Sequence, residues 1–311
     1  KHNGCIPIHF RNLRRILIKF WRPHGYDILR YPGSEIPPMN VRSQAITVAK
    51  IRGNLRETSN DRVAVEEPLE IRLGFRQGDQ RITQAVSITM RTPGDDEDLA
   101  VGFLFSESII RSPADLAIVK PCQGDNTVRV ELEDNVAVDL DRLQRHFYTT
   151  SSCGVCGKAS LDMLRVEGVS PPPTATTFAS DVLLEIPGQL RQAQATFEET
   201  GGLHAAAAFD RRGNLAVVRE DVGRHNAVDK VVGALFREQR LPATELGLMV
   251  SGRASFELAQ KALVAGMPLM AAVGAPSSLA VELAREFNVT LVGFLRDDSF
   301  NVYAAEERID E

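Results

Sequence analysis

"LGLMVSGRASFELAQKALVAGMPLMAAVGAPSSLAVELAREFNVTLVGFLR", residues 246–296, decides the fold of this chain. Three short apolar runs (246–252, 268–274 and 289–296) alternate with two segments whose apolar residues recur at helical spacing. Strands separated by helix-length crossovers lie parallel in one sheet, so the spacing predicts an α/β sandwich over 178–311. The turns out of the first two runs matter most. One carries Ser251, Gly252 and Arg253; the other carries Gly274, then Pro276, Ser277 and Ser278. Ligands of open α/β sheets sit at the carboxyl ends of strands, and helix N-termini favour phosphate. Two adjacent turns of this kind suit a ligand with more than one phosphate, although Gly and Ser at helix starts are also ordinary caps.

Upstream, the pattern changes. Short alternating runs, "AITVAKI", "PLEIRLGF", "QAVSITMR", "LAIVK" and "NTVRVEL", fill 45–132 and read as strands. One helix interrupts them: "TPGDDEDLA" puts acids in a first turn, ahead of "VGFLFSESII". "SDVLLEIPGQLRQAQATF" reads as a helix with Pro187 as its break. "LHAAAAFD" and "LAVVRED" read as a hairpin turning at Gly213–Asn214. "GRHNAVDKVVGALFREQR" reads as a further helix. The divisions are a basic extension and linker at 1–40, read as poorly ordered; a small strand-rich domain at 41–150; a loop and connection at 151–177; and the α/β domain at 178–311.

The composition is that of a globular protein, 43% hydrophobic and 25% charged among 311 residues. No run of eighteen apolar residues occurs, so no membrane span is expected. The net charge of −5 is uneven. Residues 1–40 hold seven Lys/Arg against Asp27 and Glu35, which leaves the remainder at −10. "FRNLRRILIKFW" is basic and amphipathic, but the acidic body argues against general nucleic-acid binding.

Four cysteines, with Cys5 and Cys122 isolated, do not make a secreted disulfide framework, and a reducing cytoplasm is expected. The remaining two stand together in "SSCGVCGK", 151–158. A disulfide, half a zinc site, a redox couple and a sulfur-carrying nucleophile are the candidate roles. Zinc needs four ligands, and nothing in the spacing of His204 or His225 completes a set. Gly154 and Gly157 leave the sulfurs open, and Lys158 with a following helix start would lower a thiol pKa. "TGGLHAAA" and "REDVGRHNAVDK" add His204, Glu220, Asp221, Arg224, His225 and Asp229, for which surface charge and capping are the plain alternatives.

"SSCGVCGKASL", "TGGLHAAAAFD", "VREDVGRHNAVDKVVGAL", "SGRASFELAQKA", "GAPSSLAVELA" and "LVGFLRDDSFNVYA", in this order, closely resemble the FdhD/NarQ family of formate dehydrogenase accessory sulfurtransferases, over roughly 45–305. The resemblance implies a cytidine-deaminase-like three-layer sandwich with a smaller strand-rich N-terminal domain. It implies a cytoplasmic homodimer that takes sulfur from a cysteine desulfurase as a persulfide. It further implies transfer to the molybdenum or tungsten bis-molybdopterin guanine dinucleotide cofactor, which then enters formate dehydrogenase. The persulfide carrier becomes Cys153 and the second thiol Cys156. The cofactor-binding stretch becomes Phe294, Leu295, Arg296, Asp297, Asp298 and Ser299, with Arg253 and Ser277 beside it. Where relatives carry a second basic residue this chain has Ser299, so Arg296 alone offers positive charge in that loop. A cofactor chaperone without sulfur transfer and a zinc hydrolase of the deaminase type are the rival readings. No structural metal and no nucleic-acid partner are expected.

Overall fold

The computed structural model describes residues 41–122, 126–139 and 169–311. Its strands are β1 (Ser43–Arg52), β2 (Leu55–Ala64), β3 (Glu67–Gln77), β4 (Gln80–Arg91), β5 (Leu116–Pro121), β6 (Thr127–Leu132), β7 (Phe178–Ala179), β8 (His204–Phe209), β9 (Leu215–Asp221), β10 (Gly247–Val250), β11 (Leu269–Ala272), β12 (Thr290–Gly293), β13 (Asn301–Ala304) and β14 (Ile309–Asp310). Its helices are α1 (Asp96–Ser106), α2 (Ser180–Ala193), α3 (Ala195–Thr200), α4 (Arg224–Arg237), α5 (Phe256–Val264) and α6 (Ser278–Glu286).

The predicted alternation over 246–296 is present. β10, β11 and β12 are parallel neighbours joined by α5 and α6. The full sheet has six strands in the order β13-β12-β11-β10-β8-β9, with β8, β9 and β13 antiparallel to their neighbours. It is buried on both faces. Ala206, Leu248, Met270 and Leu291 pack with α4, α5 and α6 on one side. Ala207, Met249, Ala271 and Val292 pack with α2 on the other. That arrangement explains why the short strands read as unbroken apolar runs rather than as alternation.

A second sheet, β4-β3-β6-β5, takes the strand runs of 68–132 and covers one face with α1. The ribbon β1–β2 stands apart from both sheets. Its second strand, "LRETSNDRVA", was not legible as a strand, because four charges in ten residues break the alternation. Two further local readings change. α2 continues through Pro187 to Ala193. The β8–β9 turn is centred earlier than Gly213–Asn214: the Gly213 amide donates to the Asp210 carbonyl, and the Asp210 carboxylate caps the amides of Arg212 and Asn214. Gly213, at φ +83°, supplies the left-handed residue that closes this turn.

The two sheets are joined by α1 and α4, which cross antiparallel at a pair of glycines. A Cβ on Gly102 would sit 1.8 Å from the Asp229 carbonyl oxygen, and one on Gly233 would sit 1.9 Å from that of Asp98. No side chain larger than hydrogen fits at either position. Charge fixes the crossing as well. Arg237, in the last turn of α4, donates to Glu97 and Asp98, in the first turn of α1, at 2.6 Å each. The acids that start α1 thus also hold it against its partner. Gly102→Ala and Gly233→Ala should each lower the stability by roughly 3 kcal/mol through overpacking, offset by about 1 kcal/mol of helix propensity. Denaturant midpoints at constant slope would measure the loss, and midpoints equal to that of the parent would contradict the close crossing.

Candidate functional site

The turns after β10, β11 and β12 form one surface, because backbone bonds continue past the strands. The amide of Val273 donates to Val250, that of Gly274 to Gly252, that of Ser277 to Ala254 and that of Phe294 to Gly274. Glycine permits this stacking. A Cβ on Gly274 would meet the Arg253 side chain at 2.9 Å, and one on Gly293 would meet Pro276 at 2.8 Å. Ser277 caps α6, accepting from the Ala280 amide at 3.2 Å, and is exposed. Arg253 is exposed beside Gly274.

The 294–299 loop closes the far side. Phe294 holds a left-handed φ of +53° and is 43% exposed, so an aromatic ring faces solvent at the strand end. Leu295 is fully buried and packs beneath the sheet. The exposed Arg296 folds back, Nη1 donating to the Val273 carbonyl at 2.5 Å, while its amide donates to the Ser299 carbonyl and closes the turn. Asp297 and Asp298 are exposed, and the Ser299 hydroxyl donates to Asp298. Arg296 is not salt-bridged to either aspartate among the described residues, and both of its side-chain hydrogen bonds use Nη1, to the carbonyls of Val273 and Leu295.

The "REDVGRHNAVDK" segment divides into struts and mouth. Glu220 is buried and caps α3, accepting from the amides of Thr196 and Phe197. Asp221 is fully buried and meets the equally buried Lys230 at 2.7 Å. The Asp221 carboxylate also accepts from the amides of Thr92 and Gly223 and from Asn226. Lys230 donates further to the carbonyl of Thr92. Asp229 pairs with Lys261 of α5 at 2.6 Å and accepts from Ser106 of α1. Surface charge therefore describes none of these three acids. Arg219, by contrast, reaches back to Asp98.

What remains at the mouth is His204, Arg224, His225 and Glu257. His204 opens β8 and lies 3.5 Å from the place of a Gly252 Cβ. His225 sits in the first turn of α4, with Nε2 4.0 Å from the carboxylate of Glu257 in the first turn of α5. Burial pushes the His225 imidazole down to about 4, with Arg224 and Lys261 adding to the effect and Glu257 opposing it. Burial and Arg224 also lower His204. Both rings are thus neutral near pH 7 and offer hydrogen bonds rather than charge. The positive charge of the mouth comes from Arg224, Arg253 and Arg296, and none of the three has a carboxylate within ion-pair distance among the described residues. Sequence reading found His204 and His225 but had no signal for the pairing of His225 with Glu257, because the two lie on different helices.

Cys153, Cys156 and Lys158 lie outside the described residues. Among the described residues, no group of three or more His, Cys, Asp or Glu is arranged to hold a metal ion, and no helix is long and apolar enough to cross a membrane.

The unit is a three-layer α/β sandwich that carries, at its strand ends and helix starts, Arg224, Arg253 and Arg296 without a carboxylate partner among the described residues. Comparison with known proteins gives it a family. The FdhD/NarQ family model matches residues 64–310, and the chain belongs to the FdhD/NarQ family. It is 53% identical over 257 residues to the sulfur carrier protein FdhD of Mycolicibacterium paratuberculosis, covering 79% of this chain and 91% of that one. It is 49% identical over 274 residues to that of Streptomyces coelicolor, covering 84% and 94%. With that of the archaeon Sulfurisphaera tokodaii it shares 42% over 264 residues, covering 85% and 98%. A crystal structure from Desulfotalea psychrophila, provisionally described as a formate dehydrogenase accessory protein, has the same fold. It matches with a TM-score of 0.67 at 23% identity and covers 87% of this chain and all of that one.

The neutral histidines set a pH dependence. An imidazole that titrates near 6.5 when unfolded and at about 4 when folded leaves the unfolded chain holding more protons between those values. The stability linked to His225 is therefore complete above pH 6.5 and is lost as pH falls toward 4. His225→Gln should remove about 1–2 kcal/mol of the acid destabilisation at pH 4.5, allowing for the partial exposure of the ring. Thermal melts at pH 7 and pH 4.5 would show a smaller drop in the variant. An equal drop would mean that the ring is solvated.

Proposed function

We propose that this chain is a sulfur carrier that serves formate dehydrogenase by sulfurating its molybdenum or tungsten bis-molybdopterin guanine dinucleotide cofactor before insertion. The observation that carries the reading is a mouth whose arginines lack a carboxylate partner among the described residues, at stacked strand ends, in a family whose curated relatives are named sulfur carriers. The guanine dinucleotide arms of such a cargo carry diphosphates. Guanidinium forks and helix N-termini match phosphate oxygens, and neutral imidazoles can donate without competing for protons. The family resemblance implies a relationship to the cytidine deaminases. Here the loops of the six-stranded sheet hold a cargo, and no metal-activated water is needed.

The chemistry has two halves. The Cys153 thiolate attacks the outer sulfur of a cysteine desulfurase persulfide: one S–S bond forms, one breaks, and the donor leaves as a thiolate. The carried sulfur is formally zero-valent, so release as a sulfide ligand needs two electrons. Cys156 supplies them if its thiolate attacks the Cys153 sulfur, forming the Cys153–Cys156 disulfide and freeing hydrosulfide, which replaces an oxygen ligand that departs as water. A cellular thiol then reduces the disulfide. The setting is the reducing cytoplasm, and the working form is two copies of the chain.

Intact-mass analysis after incubation with a desulfurase and cysteine should add sulfur to the parent and to Cys156→Ala, but not at this site in Cys153→Ala. Equal loading of Cys153→Ala would reassign the carrier. The cargo half has its own test. Arg296→Ala should weaken guanosine diphosphate binding at least tenfold in a calorimetric titration, since a charge-assisted phosphate contact contributes about 1.5–3 kcal/mol, and loading of Cys153 should be unchanged. Unchanged affinity would move the phosphate contact to Arg253.

A further inference from the structure

The ribbon β1–β2 is the part of the described structure that lacks a partner. Two antiparallel strands of ten residues each are bonded to one another and to no third strand among the described residues. Their contact with the body is at the base, where Arg62 and Ser43 meet Glu199 of α3. Toward the tip, Ile51 and Leu55 are 60% and 67% exposed. A lone two-stranded hairpin is marginal in water, and stability comes with three strands or more.

The ribbon's two edges differ. β2 carries Arg56, Glu57, Asp61 and Arg62 along its length, and charges of that kind protect an edge from pairing. β1 has no charge between Ser43 and Ala49, no proline, no glycine and no bulge. The register says which of its groups face out. Arg52 and Leu55 close a two-residue loop at Gly53–Asn54, so they exchange both backbone bonds, and so do the alternate pairs below them. Ala45, Thr47, Ala49 and Ile51 therefore turn their amides and carbonyls away from β2, and these groups find no backbone partner among the described residues.

We infer that β1 pairs antiparallel with β1 of a second copy, about a two-fold axis at Thr47, to make a four-stranded sheet across the dimer. In that register Thr47 faces the partner's Thr47, and Ala45 faces the partner's Ala49 in bonded pairs. Ile46 faces the partner's Val48 in the non-bonded pairs, where side chains approach most closely. Gln44 faces the partner's Lys50, and Arg52 falls opposite the partner's Arg42, which precedes β1 and is neutralised by Asp95 at 2.5 Å. Threonine pairs and β-branched apolar pairs are the favoured cross-strand neighbours. The strand is complementary to itself, which selects a second copy over an unrelated extended peptide. The inference rests on the two-copy form proposed above, and its test reads assembly rather than sulfur transfer, so the two can fail separately.

The test is sedimentation of the full chain at micromolar concentration. The parent should run as a dimer. Thr47→Pro and Ala49→Pro remove outward amides without touching the β1–β2 ladder, and should run as monomers with unchanged circular dichroism. Ile46→Lys and Val48→Glu, each alone, should raise the dimer dissociation constant at least tenfold; together they should recover most of it, because the introduced lysine then faces the introduced glutamate. Amide exchange in the parent should be slow at Ala45, Thr47 and Ala49 and should quicken on dilution to monomer. A monomeric parent, a dimer that survives both prolines, or a double variant no better than the single ones would each overturn the inference.

Discussion

The structure depends on the contact of Gly102 with Gly233. Among the described residues, the α1–α4 crossing, together with the contacts of Met90 and Thr92 with Asn226, Asp221 and Lys230, joins the four-stranded sheet to the six-stranded one. α4 begins at the mouth with Arg224 and His225, reaches Asp229 and Lys230 one turn later, and passes Gly233 before it ends at Arg237. Any movement of the crossing would therefore move the mouth. Hydrogen side chains allow the backbones to touch, and a helix seated on another's carbonyl oxygens has little freedom to slide.

Two buried ion pairs lock that position. Asp221–Lys230 ties α4 to the end of β9 and to the Thr92 backbone, and Asp229–Lys261 ties α4 to α5 and α1. Desolvating such charges costs about as much as their attraction returns, so their value lies in registry rather than net stability. Each carboxylate has further donors, which is what makes the burial tolerable. The result is a division of labour inside one short segment: alternate charges face inward as struts, while Arg224 and His225 are left at the surface of the crevice.

Much of this was legible in the sequence, and the reason differs by element. The apolar runs over 246–296 announce buried parallel strands because both faces of the sheet are covered. β2 is hidden because a solvated ribbon has no buried face to impose alternation. α2 survives Pro187, where a local rule predicted a break, because Leu183, Ile186 and Leu190 bury on the sheet on either side of it. In the candidate site, Arg253 and Ser277 were legible from strand-to-helix turns, whereas Arg296, between β12 and β13, was marked through the family resemblance. The burial of Asp221 and Asp229 was not, since a charged residue announces neither its partner nor its depth. The approach of His225 to Glu257 joins residues thirty-two positions apart on separate helices, and periodicity carries no record of it.

The proposed function asks one protein to carry sulfur on Cys153 and to hold a dinucleotide cargo at the stacked turns. If the cargo is held by its guanosine diphosphate arms, the free diphosphate must compete with it. The most direct measurement is the transfer of radiolabelled sulfur from preloaded protein to the bis-molybdopterin guanine dinucleotide cofactor, with and without excess nucleotide. The account predicts that guanosine diphosphate slows the transfer while adenosine diphosphate does so far less, and that neither alters the loading of Cys153. Transfer that proceeds at an unchanged rate under saturating guanosine diphosphate would contradict it.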